Sequence, residues 1–274
     1  NALSDLYAMG AQPFLALNLL MVPVDLSTEV VAAILRGGAE KVKESGAILA
    51  GGHSVQGREP KYGLVALGFA DPEVLLTKGA ARTGDVLVLT KPIGTGVTAT
   101  AIKHGRAEAD DISEAVRWMK RLNIAAGSIA LEHGLRAATD ISGFGLLGHL
   151  AEMVEASGCG AEIFAESVPL LGGARRYAAE GEVPGGTRDN RKHFQKKIEF
   201  EASIDEVQRT LLFDAQTSGG LLLAVPEARL PGFLTQAVLE DLPHWPLGRI
   251  VAGETIRVRQ GKLEHPPARR PDPG

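Results

Sequence analysis

The stretch that most constrains this chain is Ala138-Thr139-Asp140-Ile141-Ser142-Gly143-Phe144-Gly145-Leu146-Leu147-Gly148-His149. Residues 135–139 form a short apolar run that leads into a carboxylate, and a glycine-rich turn follows. Leu146, Leu147, Leu150, Met153 and Val154 then recur at the spacing of one helix face. The pattern predicts a strand–turn–helix junction with Asp140 at the strand's end. A second carboxylate string, Asn1-Ala2-Leu3-Ser4-Asp5, opens the chain, and Gly51-Gly52-His53-Ser54 lies between the two. Taken together they read as parts of one metal-and-phosphate site, with the remaining chain as its support.

At 274 residues the chain suffices for one large domain or two ordinary ones. It is 45% hydrophobic and 23% charged, a globular balance. The net charge of −4, with acids and bases mixed along the chain, provides no basic field for nucleic acid and no polybasic patch for a membrane surface. The longest apolar run, residues 14–22, is too short to cross a bilayer, and no signal peptide is visible. The single cysteine, Cys159, excludes an internal disulfide and a cysteine-ligated zinc, so a reducing, cytoplasmic setting fits.

Patterning predicts buried strands over 14–22 and 47–50 and a further strand, rich in apolar residues, over 62–69. A helix from Ser27 or Thr28 to about Glu44 turns Val30, Val31, Ile34, Leu35 and Val42 inward. Gly51-Gly52-His53 reads as a turn at the end of the second strand. A strand over 85–90, a loop over 91–96 and a helix over 97–104 follow. Asp111-Ile112-Ser113-Glu114 resembles a capping box, opening a helix that carries Val116, Met119, Leu122, Ile124 and Ala125 to the core. Further strands are expected at 162–165, 221–225, 247–252 and 255–259, and helices at 172–180, 205–212 and 226–240. Residues 185–197 read as a long polar loop. Without a repeated crossover the fold class is α+β. The turn-rich stretch 71–84 separates a domain over 1–76 from one over 84–259, and 260–274 reads as a disordered tail.

Glycine turns after strands expose backbone N–H groups that cradle phosphate oxygens. Carboxylates beside phosphate repel it unless a divalent cation intervenes, and magnesium commonly takes one or two protein carboxylates with water and phosphate oxygen. Asp5 and Asp140 are therefore candidate magnesium ligands, although a helix cap or Asx-turn is the commoner use of an aspartate at a turn. Gly143, Gly145 and Gly148 match a dinucleotide fingerprint by letter, with Glu162 near the position of its acidic residue, but the third glycine equally suits helix packing. His53 reads as a ligand or as a cap of its own turn. Lys91 reads as a phosphate contact or as a surface lysine, Thr217-Ser218-Gly219-Gly220 as a phosphate contact or a strand-entry turn, and Cys159 as a reactive thiol or a small loop residue.

Several strings taken in order carry a resemblance. They are Asn1-Ala2-Leu3-Ser4-Asp5-Leu6-Tyr7-Ala8-Met9-Gly10, Gly51-Gly52-His53-Ser54, the string at 89–96 (LTKPIGTG), Thr139 to His149, Gly185-Gly186-Thr187, and the string at 216–222 (QTSGGLL). Together they resemble the selenophosphate synthetases, also called selenide, water dikinases, over nearly the whole chain. The resemblance implies a two-domain fold of the aminoimidazole ribonucleotide synthetase type whose N-terminal domains, here 1–76, pair into a homodimer with ATP bound near the interface. It implies conversion of selenide, ATP and water to selenophosphate, AMP and phosphate. On it, Asp5 binds magnesium and ATP phosphate, Asp140 binds magnesium, and Gly51, Gly52 and His53 contact ATP across the dimer. The family's nucleophilic cysteine or selenocysteine, a nearby lysine and a further metal-binding aspartate belong to a segment upstream of Asn1. On the resemblance, then, no catalytic nucleophile lies within this chain, and by itself it is expected not to make selenophosphate. The rival readings are another ATP-dependent enzyme of the same superfamily and a nucleotide-binding regulatory paralogue.

Overall fold

The computed structural model describes residues 1–264. Of the tail expected over 260–274, residues 265–274 lie outside the described residues. Residues 260–264 pack onto the body, with Leu263 buried and Gln260 N donating to Glu201.

The chain runs through α1 (Ala2–Ala8), β1 (Gln12–Val22), α2 (Thr28–Glu44), β2 (Ile48–Gln56) and β3 (Lys61–Phe69). After an extended link come β4 (Val86–Leu89), α3 (Thr95–Lys103), α4 (Ala109–Lys120), α5 (Ile124–Glu132), β5 (Ala137–Asp140) and α6 (Gly145–Ser157). Then follow β6 (Gly160–Phe164), α7 (Ala174–Ala179), α8 (Gly185–Phe194), β7 (Ile198–Phe200) and α9 (Glu206–Leu212). The last elements are β8 (Leu221–Val225), α10 (Leu230–Leu239), β9 (Trp245–Val251) and β10 (Ile256–Arg259).

The strands form two mixed sheets. The first has the order β2-β1-β3, with β1 parallel to β2 and antiparallel to β3. The second has the order β5-β8-β4-β9-β6-β10-β7 and is antiparallel except where β10 lies between β6 and β7. Mixed sheets with helices packed on them are the α+β class that the patterning predicts. β4 and β8 alternate their apolar side chains between two cores. Leu87, Leu89, Leu222 and Ala224 face the core built on α6, whereas Val86, Val88, Leu221, Leu223 and Val225 face the core shared with α1, α5 and α10. Burial on both faces explains why these strands read as unbroken apolar runs.

The first sheet is covered differently. Ala16 of β1 packs with Val42 of α2 and Ala47 on one face. The other face carries Leu19, Ile48, Val55, Val65 and Leu67, all exposed. Cross-strand register places Leu15 opposite Ile48 and Leu67, and Leu19 opposite His53. The expectation of buried strands over 14–22 and 47–50 is therefore corrected: each strand is covered on one face only. On α2 only Val42 is buried; Val31, Ile34 and Leu35 are half-buried, and Val30 is 44% exposed.

Other expectations are also corrected. The residues expected as a loop at 185–197 form α8 and a short 3-10 turn, because Thr187, Asn190 and Phe194 supply a buried stripe within a polar sequence. Glu108, not Asp111, precedes α4 and makes no side-chain cap; Ile124 begins a separate helix and is exposed. Gly51-Gly52-His53 is not a turn but the middle of β2. Gly52 has φ +156°, and a Cβ there would collide with the Asn18 carbonyl oxygen, at a register shift of β1 against β2.

Candidate active site

The junction at Asp140 forms as its sequence predicts, with β5 ending on the aspartate and α6 starting five residues later. Leu146, Leu147, Leu150, Met153 and Val154 are all buried on α6, each burial worth roughly 1.5–3 kcal/mol. Gly145 and Gly148 serve packing. Gly145 has φ +70°, and a Cβ there would stand 2.7 Å from the carbonyl oxygens of Phe213 and Asp214; one on Gly148 would stand 2.8 Å from the Phe194 ring of α8. β5 is an edge strand antiparallel to β8, and Glu162 lies on β6, which is not its neighbour. No parallel β–α–β crossover joins them, so the dinucleotide reading fails.

Asp5 lies inside α1 rather than beside a turn. Leu3, Ser4, Tyr7 and Ala8 form the buried face of that helix, which packs on α5, β3 and β5, and Asp5 occupies the opposite side. Its carboxylate and that of Asp140 line one cavity of about 290 Å³ with Ala8, Met9, Leu76, Thr77, Lys78, Ala138 and Thr139. Backbone bonds from Leu76 N to Met9 O (3.3 Å) and from Thr77 N to Arg136 O (2.9 Å) fix the wall beside β5.

The electrostatics of this cavity are unusual. Asp140 is 7% exposed, yet its carboxylate accepts no hydrogen bond among the described residues. It caps neither α6 nor an Asx-turn. Burial pushes the Asp5 carboxyl above its ordinary range, and the Asp140 charge pushes it further; the chain's amino group and Lys78 oppose this. Two carboxylates on one cavity, one of them buried without partners, are a donor set suited to a hard divalent cation. Among the described residues no third His, Cys, Asp or Glu joins them in a metal-sized cluster.

A polar chain stands behind Asp140. Lys78 Nζ donates to Glu152 Oε2 at 2.6 Å, and the same oxygen lies 3.2 Å from His149 Nδ1. His149 Nε2 accepts from Phe144 N at 3.4 Å and lies 3.2 Å from Ser142 Oγ. An acceptor at Nε2 makes Nδ1 the protonated nitrogen. Burial lowers the pKa of this imidazole, against the raising effect of the Asp140 and Glu152 charges. The His149 and Glu152 pair is visible in the sequence as an i, i+3 spacing on one helix; nothing local marks Lys78.

The other candidates fall elsewhere. Gly51, Gly52 and His53 are exposed on β2 and line no wall of the Asp5–Asp140 cavity. His53 shares the open apolar face of the first sheet. Lys91 is no surface lysine: it is 2% exposed and donates to Arg121 O at 2.6 Å and Ser218 O at 2.9 Å, and burial brings its pKa down to about 7. The residues at 217–220 form the turn entering β8. Cys159 is buried behind Gly158, and burial raises its thiol pKa, which leaves it unreactive.

Comparison with known proteins decides the family. The model of the AIR synthase related protein N-terminal domain matches residues 1–70, and that of the C-terminal domain matches residues 82–261. A selenide, water dikinase of Nitratidesulfovibrio vulgaris is 45% identical over 253 residues, covering 91% of this chain and 72% of its own. The chain belongs to the selenide, water dikinase family. A second such dikinase, from Caldanaerobacter subterraneus, is 48% identical over 229 residues, 84% of this chain and 66% of its own. These are enzymes of kinase type, and the chain is one of their family. Among solved structures, thiamine-monophosphate kinase from Stenotrophomonas maltophilia aligns with a TM-score of 0.72 at 21% identity, over 93% of this chain and 75% of that one. Hydrogenase maturation protein HypE in complex with ATP aligns at 0.70 and 17% identity, over 96% and 77%. At such identities they show the fold alone: dikinase-family chains share the AIR synthase-like architecture with both.

Proposed function

We propose that this chain is the nucleotide- and metal-binding body of a selenophosphate synthetase, acting on ATP, selenide and water to give selenophosphate, AMP and phosphate. The buried, partnerless carboxylate of Asp140 facing Asp5 across one cavity is the observation that carries the reading. Asp5 and Asp140 would hold magnesium between the chain and the ATP phosphates. Bound there, magnesium would neutralise charge on the phosphates, the main demand of phosphoryl transfer.

The chain's own residues orient and exclude. α1 and β5 present the two carboxylates on rigid elements, so little reorganisation accompanies binding. His149, held neutral by burial, accepts the Phe144 amide and steadies the loop that follows Asp140. Lys78 adds a cation to the same cavity wall. The open face of the first sheet is the proposed dimer interface, because a contiguous exposed apolar surface of this kind marks association. It carries His53, so pairing brings Gly51, Gly52 and His53 of a second copy to an interface where ATP can be contacted. Among the described residues no helix is long and apolar enough to cross a membrane. With Cys159 unpaired, the proposed location is the cytoplasm.

The test is an assay of the complete enzyme carrying Asp140→Ala. ATP and selenide should no longer yield AMP and selenophosphate. Undiminished AMP formation by this variant would remove Asp140 from the reaction.

A further inference from the structure

The strings at 89–96, 185–187 and 216–222 line no part of the Asp5–Asp140 cavity. The structure gathers all three around one fully buried carboxylate, Asp214. Its Oδ2 accepts from Gly96 N at 3.0 Å, Val97 N at 3.3 Å and Gln216 Nε2 at 2.9 Å, and its Oδ1 accepts from Thr187 Oγ1 at 2.9 Å. Gln216 Oε1 in turn accepts from Gly94 N, Thr95 N and Thr95 Oγ1 at 3.0, 3.1 and 3.0 Å. Thr217 N donates to Thr95 Oγ1 at 3.0 Å. The turn before β8 is thus pinned to the first turn of α3.

From there the turn reaches both aspartates. Toward Asp140, Gly220 O accepts from Ile141 N at 2.8 Å, and Ser142 O accepts from Gln216 N at 3.0 Å. Asn190 Nδ2 donates to Gly143 O at 2.8 Å and to Phe213 O at 3.1 Å. Toward Asp5, the buried Asn123 donates from Nδ2 to Gly219 O at 2.9 Å and to Ser4 Oγ at 3.1 Å. Lys91 Nζ holds Ser218 O. Residues 214–220 therefore connect to the residue before Asp5, through Asn123, and directly to the residue after Asp140.

We infer that residues 214–220 are a gauge that fixes the separation of Asp5 and Asp140, and that Asp214 is the positioning residue that holds the gauge in place. Asparagine in its place turns one acceptor oxygen into an NH2 donor that faces donors, in a dry interior where a partly satisfied polar network costs most. The released turn then moves the backbone on either side of the pair. Magnesium binds within a narrow, near-octahedral geometry, so a small change in carboxylate spacing lowers affinity strongly. The inference rests on the magnesium–nucleotide reading above.

The experiment measures Mg·ATP affinity by calorimetry and melting temperature for the unmodified chain, Asp214→Asn, Thr187→Ser and Val258→Ala. Val258 is buried in β10, away from the turn, and controls for lost stability. Asp214→Asn should lose about tenfold in affinity, the low end of the range for groups that orient metal ligands. Thr187→Ser, which keeps the donor to Asp214, should bind as the unmodified chain does. Val258→Ala should keep its affinity at an equal or larger fall in melting temperature. Unchanged affinity in Asp214→Asn, or affinity that simply tracks melting temperature through all the variants, overturns the gauge. An unmodified chain that binds no Mg·ATP overturns the underlying reading, and the gauge with it.

Discussion

The two sheets of this molecule are made from similar residues and finished differently. β4 and β8 of the seven-stranded sheet are sealed on both faces, with every side chain at or below 1% exposure. The three-stranded sheet is partly covered by α2 on one face and leaves Ile48 at 69% and Leu19 at 49% exposed on the other. An apolar strand therefore does not announce its own burial; the helices packed beside it decide. The sealed sheet carries Asp140 and the open sheet carries His53.

Breaking the sealed side should cost the most. Leu147→Ala, at a site with no exposure, should lower unfolding stability by about 2–5 kcal/mol in urea titration, because a cavity remains where the side chain was. A loss below about 1 kcal/mol would mean that α6 is not clamped to its sheet as described.

A pH effect of comparable size belongs to Asp214. Burial raises its pKa from 3.8 to about 6. Between those values the folded chain holds a proton that the unfolded chain has released. Stability from this group is therefore greatest below about pH 4 and falls as pH rises to about 6, by up to roughly 3 kcal/mol. Stability profiles of the unmodified chain and Asp214→Asn, subtracted, should show this slope. A flat difference would contradict it.

Smaller effects lie in the open sheet. Gly52→Ala should destabilise by about 1–3 kcal/mol, since the new Cβ meets backbone rather than a movable side chain. Least of all, Leu67→Asp should change the stability of a single chain by less than about 0.5 kcal/mol. It should nevertheless shift sedimentation of the chain from dimer to monomer at micromolar concentration. A chain that is monomeric before the substitution would remove the interface proposal.

The sequence disclosed the sealed side better than the open one. The stripe on α6 and the strand ending at Asp140 were legible because periodicity reports burial directly. The first sheet misled, since Leu15, Leu17 and Leu19 look alike whether they meet a helix or a surface. α8 hid inside a polar stretch because its buried stripe includes Thr187 and Asn190, which serve Asp214 and the loop after Asp140. Asp5 and Asp140 are 135 positions apart. Their shared cavity depends on α1 packing beside β5, a tertiary contact that no local pattern records. Glycines at 145 and 148 suggested a ligand cradle but answer to Asp214 and Phe194 instead.

The central claim is that Asp5 and Asp140 act together through a divalent cation. It is tested most directly by titrating ATP into the chain with magnesium, without it, and with magnesium after Asp140→Ala. ATP should bind the unmodified chain only with magnesium, and the substitution should weaken that binding on the order of 100-fold. ATP binding of equal strength in all three titrations would contradict a cation held by these two carboxylates.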